Sequence, residues 1–370
     1  MKIIMIKEKV KSGFTLVEMM VSVAVVAVLM LFITQVISQM QRAWRQTGGK
    51  AAQFREARKA FDLIQRNMKQ SVLNSYSRYY YRGTPDPLSP FKTAGQGGVA
   101  EEVTGANVSS QIRYSELQFI CGPASQVFES SLASEISGHA VFFQVPLGHS
   151  ELYSNLPTAL NGRGYLVRFG INNANRIPPF VGNRVEAQNR YRLLQYTAPT
   201  EQNRIYDKAT RKQTKDWFSD LDQQSVVIAE NILAIYFSPR RAVATLGGNQ
   251  NTRDLAPNYF YDSANPDLIS DSGGTIKQDP RSHTLPPVVD VIMVAIDSLS
   301  AQRLQQVYGD QKPFDFEGMN LFSRNASDQG FREDLKALQD ELNEKNVNYR
   351  IFSGSIPMRN SEYFEGNKNS

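Results

Sequence analysis

The chain has 370 residues, 41% hydrophobic and 21% charged, which is the usage of a folded protein and excludes a disordered or fibrous one. That length accommodates a membrane helix with one large or two small domains. The net charge of +5 does not imply a nucleic-acid partner, because residues 1–13 hold four Lys and one Glu, and their +3 leaves only +2 on the rest of the chain.

Lys2, Lys7, Lys9 and Lys11 open the chain and are followed by Gly13-Phe14-Thr15-Leu16-Val17-Glu18. An apolar run then extends to Ile37, and from Met19 to Ile33 only Ser22 interrupts it. From Phe14 to Ile37 there are about 24 residues, enough to cross roughly 30 Å of hydrocarbon as a helix. The lysines stand on one side of this run, so the leader stays cytoplasmic and the bulk of the chain is exported. Glu18 is the anomaly, since a carboxylate inside such a segment is unfavourable and marks a functional position with a partner. No cation lies near it on its own helix face. A secretory signal would end in a small-x-small cleavage site, but Val36-Ile37-Ser38-Gln39-Met40-Gln41 follows. A plain membrane anchor leaves Glu18 and its spacing from Gly13 unexplained.

Beyond the run, Trp44 and Arg45 suit an interfacial anchor, and Gly48-Gly49 should loosen the helix. Phe54, Ala57, Phe61, Ile64, Met68 and Val72 then recur at steps of three or four residues, an apolar stripe on an amphipathic helix. The stripe needs a sheet or, as the alternative, a coiled-coil partner. Tyr76, Tyr79, Tyr80 and Tyr81 interleave with Arg78 and Arg82. Such a cluster either stacks on sugars or bases or lines a core edge or a subunit interface. Residues 83–110 read as a Gly, Pro and Ser-rich loop.

Strands are expected at Ile112–Cys121, Ala140–Val145, Tyr165–Phe169, Tyr191–Tyr196, Ile232–Phe237, Val288–Ile296 and Tyr349–Ile356. Asp216-Trp217-Phe218 reads as a polar helical turn, 239–286 as a polar loop, and Ser300–Val307 and Asp334–Leu342 as short helices. Strands in runs, without alternating long helices, predict an α+β fold. Its long N-terminal helix, membrane-spanning and then amphipathic, packs on a mainly antiparallel β domain. Cys121 is the single cysteine, so no internal disulfide forms; it reads as a small buried hydrophobe. His139, His149 and His283 form no zinc-binding spacing, and no nucleophile-elbow, P-loop or dinucleotide fingerprint stands where it would function. Asp262, Asn265, Asp267 and Asp271 offer oxygens to calcium but lack the spacing of an EF-hand loop, and a solvated loop is the simpler reading. No enzyme activity and no cofactor is expected.

The Gly13-to-Glu18 hexamer ahead of an apolar run resembles the class III signal of type IV pilins and type II secretion pseudopilins. That resemblance implies cleavage by a prepilin peptidase between Gly13 and Phe14 and N-methylation of Phe14. It also implies pairing of Glu18 with the Phe14 amine of a neighbouring subunit. A glycine suits the cut site because the missing Cβ lets an enzyme approach the backbone closely. The domains then read as leader 1–13, transmembrane helix 14–37, amphipathic helix 38–75 and exported α+β domain 76–370. The expected location is the inner membrane, single-pass, with the bulk in the periplasm or outside the cell. Membrane lipid and other pilin or pseudopilin subunits are the expected partners, and nucleic acid is not. Ala229-Glu230-Asn231-Ile232, Tyr236-Phe237 and Leu285-Pro286-Pro287-Val288-Val289-Asp290-Val291 look like paired strands in the second sheet of the larger J-type minor pseudopilins. The tail Asn348–Pro357 is similar to a verrucomicrobial family of prepilin-like proteins called Verru_Chthon cassette protein C. A structural subunit of a pilus-like or secretion-like filament is therefore the leading expectation. The alternative is an anchored extracytoplasmic binding protein that does not assemble and uses its tyrosine cluster.

Overall fold

The computed structural model describes residues 15–82, 107–128, 130–154, 156–171, 188–206, 216–218, 220–242, 251–264, 268–270 and 276–362. The chain forms two compact units, Met1–Ala52 and Gln53–Ser370. Helix α1 (Leu16–Met68) runs through both. Its assignment is unbroken at Gly48 and Gly49, against the expected loosening. Two glycines cost about 1 kcal/mol each relative to alanine, which a long cooperative helix absorbs. Trp44 and Arg45 lie on this helix, and their side chains fall outside the described ones.

Within the first unit, the apolar stretch Leu16–Gln41 is long and apolar enough to cross a membrane, and its side chains are exposed. It runs slightly past the expected end at Ile37. Its hydroxyls are satisfied internally. Ser22 Oγ donates to Glu18 O at 2.7 Å, Thr34 Oγ1 to Met30 O at 2.8 Å and Ser38 Oγ to Gln35 O at 2.8 Å. Each donor is thereby matched without water, as hydrocarbon requires.

In the second unit the stripe is buried as expected. Ala57, Ala60, Phe61, Ile64 and Met68 are all within 4% of full burial. The helix ends at Met68 rather than near 75. The reason is visible at Val72, whose N–H donates to Gln144 O at 3.0 Å, so the chain past the helix serves as an addition to a sheet strand.

The strands follow in chain order. A hairpin comes first, β1 (Tyr76–Arg82) with β2 (Asn107–Tyr114). Next are β3 (Ile120–Pro123), the single turns α2 (Ala124–Val127) and α3 (Ser130–Ala133), β4 (Ile136–Pro146), β5 (Leu160–Ile171) and β6 (Asn189–Ala198). Then come the turn α4 (Leu221–Gln224), β7 (Ser225–Glu230), β8 (Ile232–Arg240), β9 (Tyr261–Asp262), and a small ribbon of β10 (Leu268–Ser270) with β11 (Ile276–Gln278). The last elements are β12 (Val288–Ile296), α5 (Ser298–Tyr308), α6 (Asp328–Glu344) and β13 (Tyr349–Pro357). Asp216–Phe218 is a 3-10 turn, as the sequence suggests.

Ile112–Cys121 is two strands, not one. Ser115 Oγ accepts from Leu117 N at 3.0 Å and donates to Leu73 O, and this side-chain turn breaks the alternation. The expected loop 83–110 yields to strand from Asn107, and 83–106 lies outside the described residues. The expected 239–286 loop contains three short strands. The segment before Asn231 is strand as well; Asn231 adopts φ 58 between β7 and β8 and turns the chain over.

A nine-stranded sheet follows the order β13-β12-β8-β4-β5-β6-β7, with β3 beside β4 and β9 beside β3. It consists of two antiparallel parts. One holds β3 to β7 and β9, the other β8, β12 and β13, and a single parallel bridge, Gly138↔Ile235, joins them. The expected pairing of the Ile232 and Val288 segments is therefore present, as β8 against β12. The fold is α+β and mainly antiparallel, as expected.

Two features hold the parts together. At the bridge, Gly138 has φ +79, and a Cβ there would stand 2.6 Å from Ile235 O. Beside it, buried His139 accepts from Phe237 N at 3.1 Å through Nδ1 and donates from Nε2 to Phe322 O at 2.7 Å. Elsewhere, Arg253 reaches Ser238 Oγ at 2.5 Å, Asp290 Oδ2 at 2.7 Å and Asp328 Oδ1 at 3.1 Å. It stacks on Phe331 at 3.8 Å, tying β8 and β12 to the start of α6. Asp290 also accepts from Arg240 Nε at 2.9 Å.

Removing Arg253 leaves Asp290, whose side chain is only 13% exposed, with one fewer cation. Arg253→Ala is expected to lower unfolding stability by about 3 kcal/mol in denaturant titration. The buried histidines give a pH dependence. Burial lowers the pKa of both His139 and His283 from 6.5 to about 4. Their neutral forms are favoured by the fold, so stability is full above about pH 6.5 and declines as pH falls towards 4. His139→Gln, which keeps one donor and one acceptor but does not titrate, should flatten part of that decline in thermal unfolding from pH 7 to 4.

Candidate functional site

Among the sequence-derived positions, Gly13 and Phe14 lie outside the described residues, as do the four leader lysines. Glu18 is on the first turn of α1. Thr15 precedes the helix, and its carbonyl accepts the first helical bond, from Met19 N at 3.2 Å. Its Oγ1 accepts from Glu18 N at 3.3 Å. In return, Glu18 Oε2 accepts from Thr15 N and from Thr15 Oγ1, each at 2.9 Å. This reciprocal arrangement is a capping box, which satisfies helix-end donors that have no backbone partner. The acid of the apolar span thus has local partners, all of them neutral. The Thr-x-x-Glu spacing announces this role in the sequence, alongside the role the charge suggests. The carboxylate also sits at the positive end of the helix dipole, where an anion is favoured.

The other candidate positions divide. The tyrosines of 76–81 form β1, where alternation sends Tyr76 and Tyr80 to one face and Tyr79 and Tyr81 to the other. Tyr76 packs edge-on against Tyr114 at 5.7 Å, and Arg78 lies 5.0 Å from the same ring. The cluster is thus split, with Tyr76 and Tyr79 about half exposed. Cys121 is fully buried in β3, and burial pushes its thiol pKa far up, as suits a core hydrophobe and not a nucleophile.

The histidines have structural surroundings. His139 is at the sheet joint, and His283 lies against the Tyr114 ring at 4.8 Å. The backbone of exposed His149 is bracketed by Asn161, which accepts from its N–H at 3.0 Å and donates to its carbonyl at 2.7 Å. Of the four candidate calcium ligands only Asp262 is among the described residues. Its Oδ1 accepts from Gln118 Nε2 at 2.8 Å and Ala264 N at 2.9 Å. Among the described residues no group of three or more His, Cys, Asp or Glu could hold a metal ion.

A family described as the prokaryotic N-terminal methylation motif matches residues 9–34. No curated protein and no solved structure matches the chain. The matched stretch covers the Gly13-Phe14 junction, the capping box and most of the apolar span. A prepilin-type N-terminal segment with one long apolar helix among the described residues and an α+β domain fits a type IV pilin-like protein processed by a prepilin peptidase, and is consistent with a single-pass inner-membrane anchor.

Thr15→Ala removes the hydroxyl that accepts from Glu18 N. Backbone amides of Val17 and Glu18 should then exchange about fivefold faster in detergent-solubilised protein, by hydrogen–deuterium exchange, with amides beyond Ser22 unchanged.

Proposed function

We propose that the chain is a structural subunit, of the minor pilin or pseudopilin kind, of a type IV pilus-like or type II secretion-like filament. The observation that carries this reading is Glu18, placed five residues into the chain that begins at Phe14 and inside the matched segment 9–34. The peptidase cuts between Gly13 and Phe14, and the new amine on Phe14 is methylated. Glu18 then meets that amine on a neighbouring subunit as subunits pack through their apolar helices.

The chemistry of the first turn supports this division of labour. Both described bonds to the carboxylate end on Oε2, and a carboxylate offers about four lone-pair sites. The acid therefore keeps capacity for a charged donor while it caps its own helix. The exported unit, Gln53–Ser370, supplies the surfaces that meet other subunits from the periplasmic or extracellular side. Its role is structural and not enzymatic. The β8–β12 pairing and the β13 tail support the finer likeness to J-type pseudopilins and to the verrucomicrobial cassette family.

Two measurements test the proposal. Mass spectrometry of the membrane-extracted protein should find a methylated N-terminus at Phe14, and an N-terminus at Met1 would overturn the reading. Glu18→Ala should still be cleaved but should cross-link to neighbouring subunits at least several-fold less than wild type. Equal cross-linking would favour a subunit that does not use this acid, and no cross-linking in either protein would favour an anchored binder that works alone.

A further inference from the structure

The second unit carries an apolar loop at one end of its sheet and a cleft at the other. The loop, 147–159, joins β4 to β5. Within it Leu152 is 74% exposed, Tyr153 65% and Leu156 41%. The loop is nonetheless pinned. Gly148 N donates to Ala159 O at 3.1 Å and closes its base. Glu201 accepts from Ser150 Oγ, from Glu151 N at 3.3 Å and from Leu152 N at 3.2 Å. Tyr153 N donates to Ser150 Oγ at 2.8 Å. An apolar tip that is exposed and already ordered is prepared for contact, because little chain entropy remains to be lost on docking. Glu151 is the loop's one acidic side chain. Its carboxylate accepts from neutral Gln202 Nε2 at 3.1 Å and pairs with no cation among the described residues.

The cleft lies between α5 and the segment that joins α6 to β13. It encloses about 240 Å³ among Arg303, Leu304, Val307, Tyr308, Lys345 and Val347. A space of about 150 Å³ takes a benzene ring, so this one takes an aromatic or a leucine side chain. Leu304 and Val347 are its buried apolar residues, and Val307 stands 75% exposed beside them. Lys345 is neutralised by Glu341 at 3.4 Å and lies 5.2 Å from the Tyr308 ring. Arg303 is exposed and donates to neutral groups, Ser300 Oγ at 3.2 Å and Asn346 O at 3.3 Å. No carboxylate pairs with it among the described residues. The cleft is therefore apolar, open, and edged by one uncompensated cation.

Loop and cleft do not meet within one chain. β4 runs towards the loop. β8 runs parallel to β4 through the Gly138↔Ile235 bridge, and β12 runs antiparallel to β8. Ile296 ends β12, so it and the cleft beyond it stand where β4 begins. The 11 residues of β4, roughly 35 Å, separate the two features. Between two chains they are complementary. One surface sets an acid beside exposed leucine and tyrosine, and the other sets a cation beside an exposed valine and an apolar cleft. Opposite charges then fix the register, and burial of apolar surface supplies the attraction. Such a contact is head-to-tail. It leaves one free loop and one free cleft on every pair, so further copies can add.

We propose that the Arg303 cleft receives the 150–154 loop tip of a second copy of this chain, with the Tyr153 ring against Leu304 and Val347 and Glu151 paired with Arg303. The proposal rests on neither the leader nor Glu18.

The test uses the full chain reconstituted in lipid vesicles, where its native Cys121 is buried and stays out of reach of oxidant. New cysteines go to exposed positions beside the two surfaces, Ser154→Cys in one chain and Gln306→Cys in another. On mild oxidation the mixture should give disulfide-linked pairs at least about fivefold more than either chain gives alone. Arg303→Glu in the second chain, or Glu151→Arg in the first, should each lower that yield about fivefold. The two reversals together should restore it, which loss of fold in either chain would not allow. Arg303→Gln, a milder change at the same exposed position, should lower the yield about twofold with an unchanged thermal midpoint. A mixture that links no better than the separate chains would overturn the proposal, as would a yield that neither reversal moves or that the double reversal fails to restore.

Discussion

The large sheet depends on one residue pair where its two antiparallel parts meet. Gly138 supplies the only parallel bridge between β4 and β8 among the described residues, and no other side chain fits there, since a Cβ would press on Ile235 O. The adjacent His139 extends the seam by other means. Its ring accepts from the Phe237 backbone as a strand neighbour would, and its second nitrogen holds the Phe322 carbonyl. Burial keeps the ring neutral, and the two bonds fix which nitrogen carries the proton. A strand backbone continues a ladder over many residues, whereas this seam is one glycine and one imidazole. Its geometry lets β8, β12 and β13 fold as a local antiparallel ribbon and still bury a common core with β3 to β7.

The C-terminal part of α1 covers that core. Phe61 lies against Phe352 of β13, with ring centres 6.0 Å apart, and Asn67 donates to the Tyr165 hydroxyl of β5 at 2.6 Å. One helix thus touches both parts of the sheet and bridges the seam from above. Gly354 of β13 lies beneath this helix, where a Cβ would displace only the amide end of Gln65 and rest in ordinary contact with the Phe61 ring. The same helix is predominantly apolar over Leu16–Gln41, with Glu18 its one charged residue there, so one continuous element carries two solvents' worth of patterning. A uniform apolar surface suits hydrocarbon, and a stripe suits a sheet.

These periodicities are why much of the fold is visible in the sequence. Val288–Ile296 is an apolar run broken only by Asp290, and it is β12 at those bounds. The stripe is buried from Ala57 to Met68 where the spacing puts it, with Phe54 half-buried. What stays hidden depends on contacts distant in sequence or on single side chains. Ser115 splits a strand through one hydroxyl. Val72 continues the helical spacing but leaves the helix because β4 offers a backbone partner. Arg253 meets Asp290 across 37 residues, and no pattern in either segment announces the pair. At the candidate site the balance is different. Glu18 stands out by charge alone, while Thr15 matters through a short-range rule that an apolar context conceals.

That rule bears on how one acid serves two states. A free carboxylate in hydrocarbon has no stable place, so a subunit of the proposed kind would need an interim partner for Glu18 before assembly. Thr15 provides it through a backbone N–H and a hydroxyl, both neutral donors that a helix start must satisfy in any case. A charge-assisted bond to an amine is roughly twice as strong as a neutral one and is therefore preferred when it becomes reachable. Cleavage after Gly13 would create such an amine two residues before Leu16, the first residue of the helix. The cap holds the acid in the rotamer that points towards the helix start, where the proposed cleavage would place an amine. On this argument Thr15 does not compete with assembly. If Glu18 pairs with a neighbouring amine as proposed, the cap holds the side chain oriented for it, and a chain with the acid but without the cap would have to order that side chain at the moment of docking.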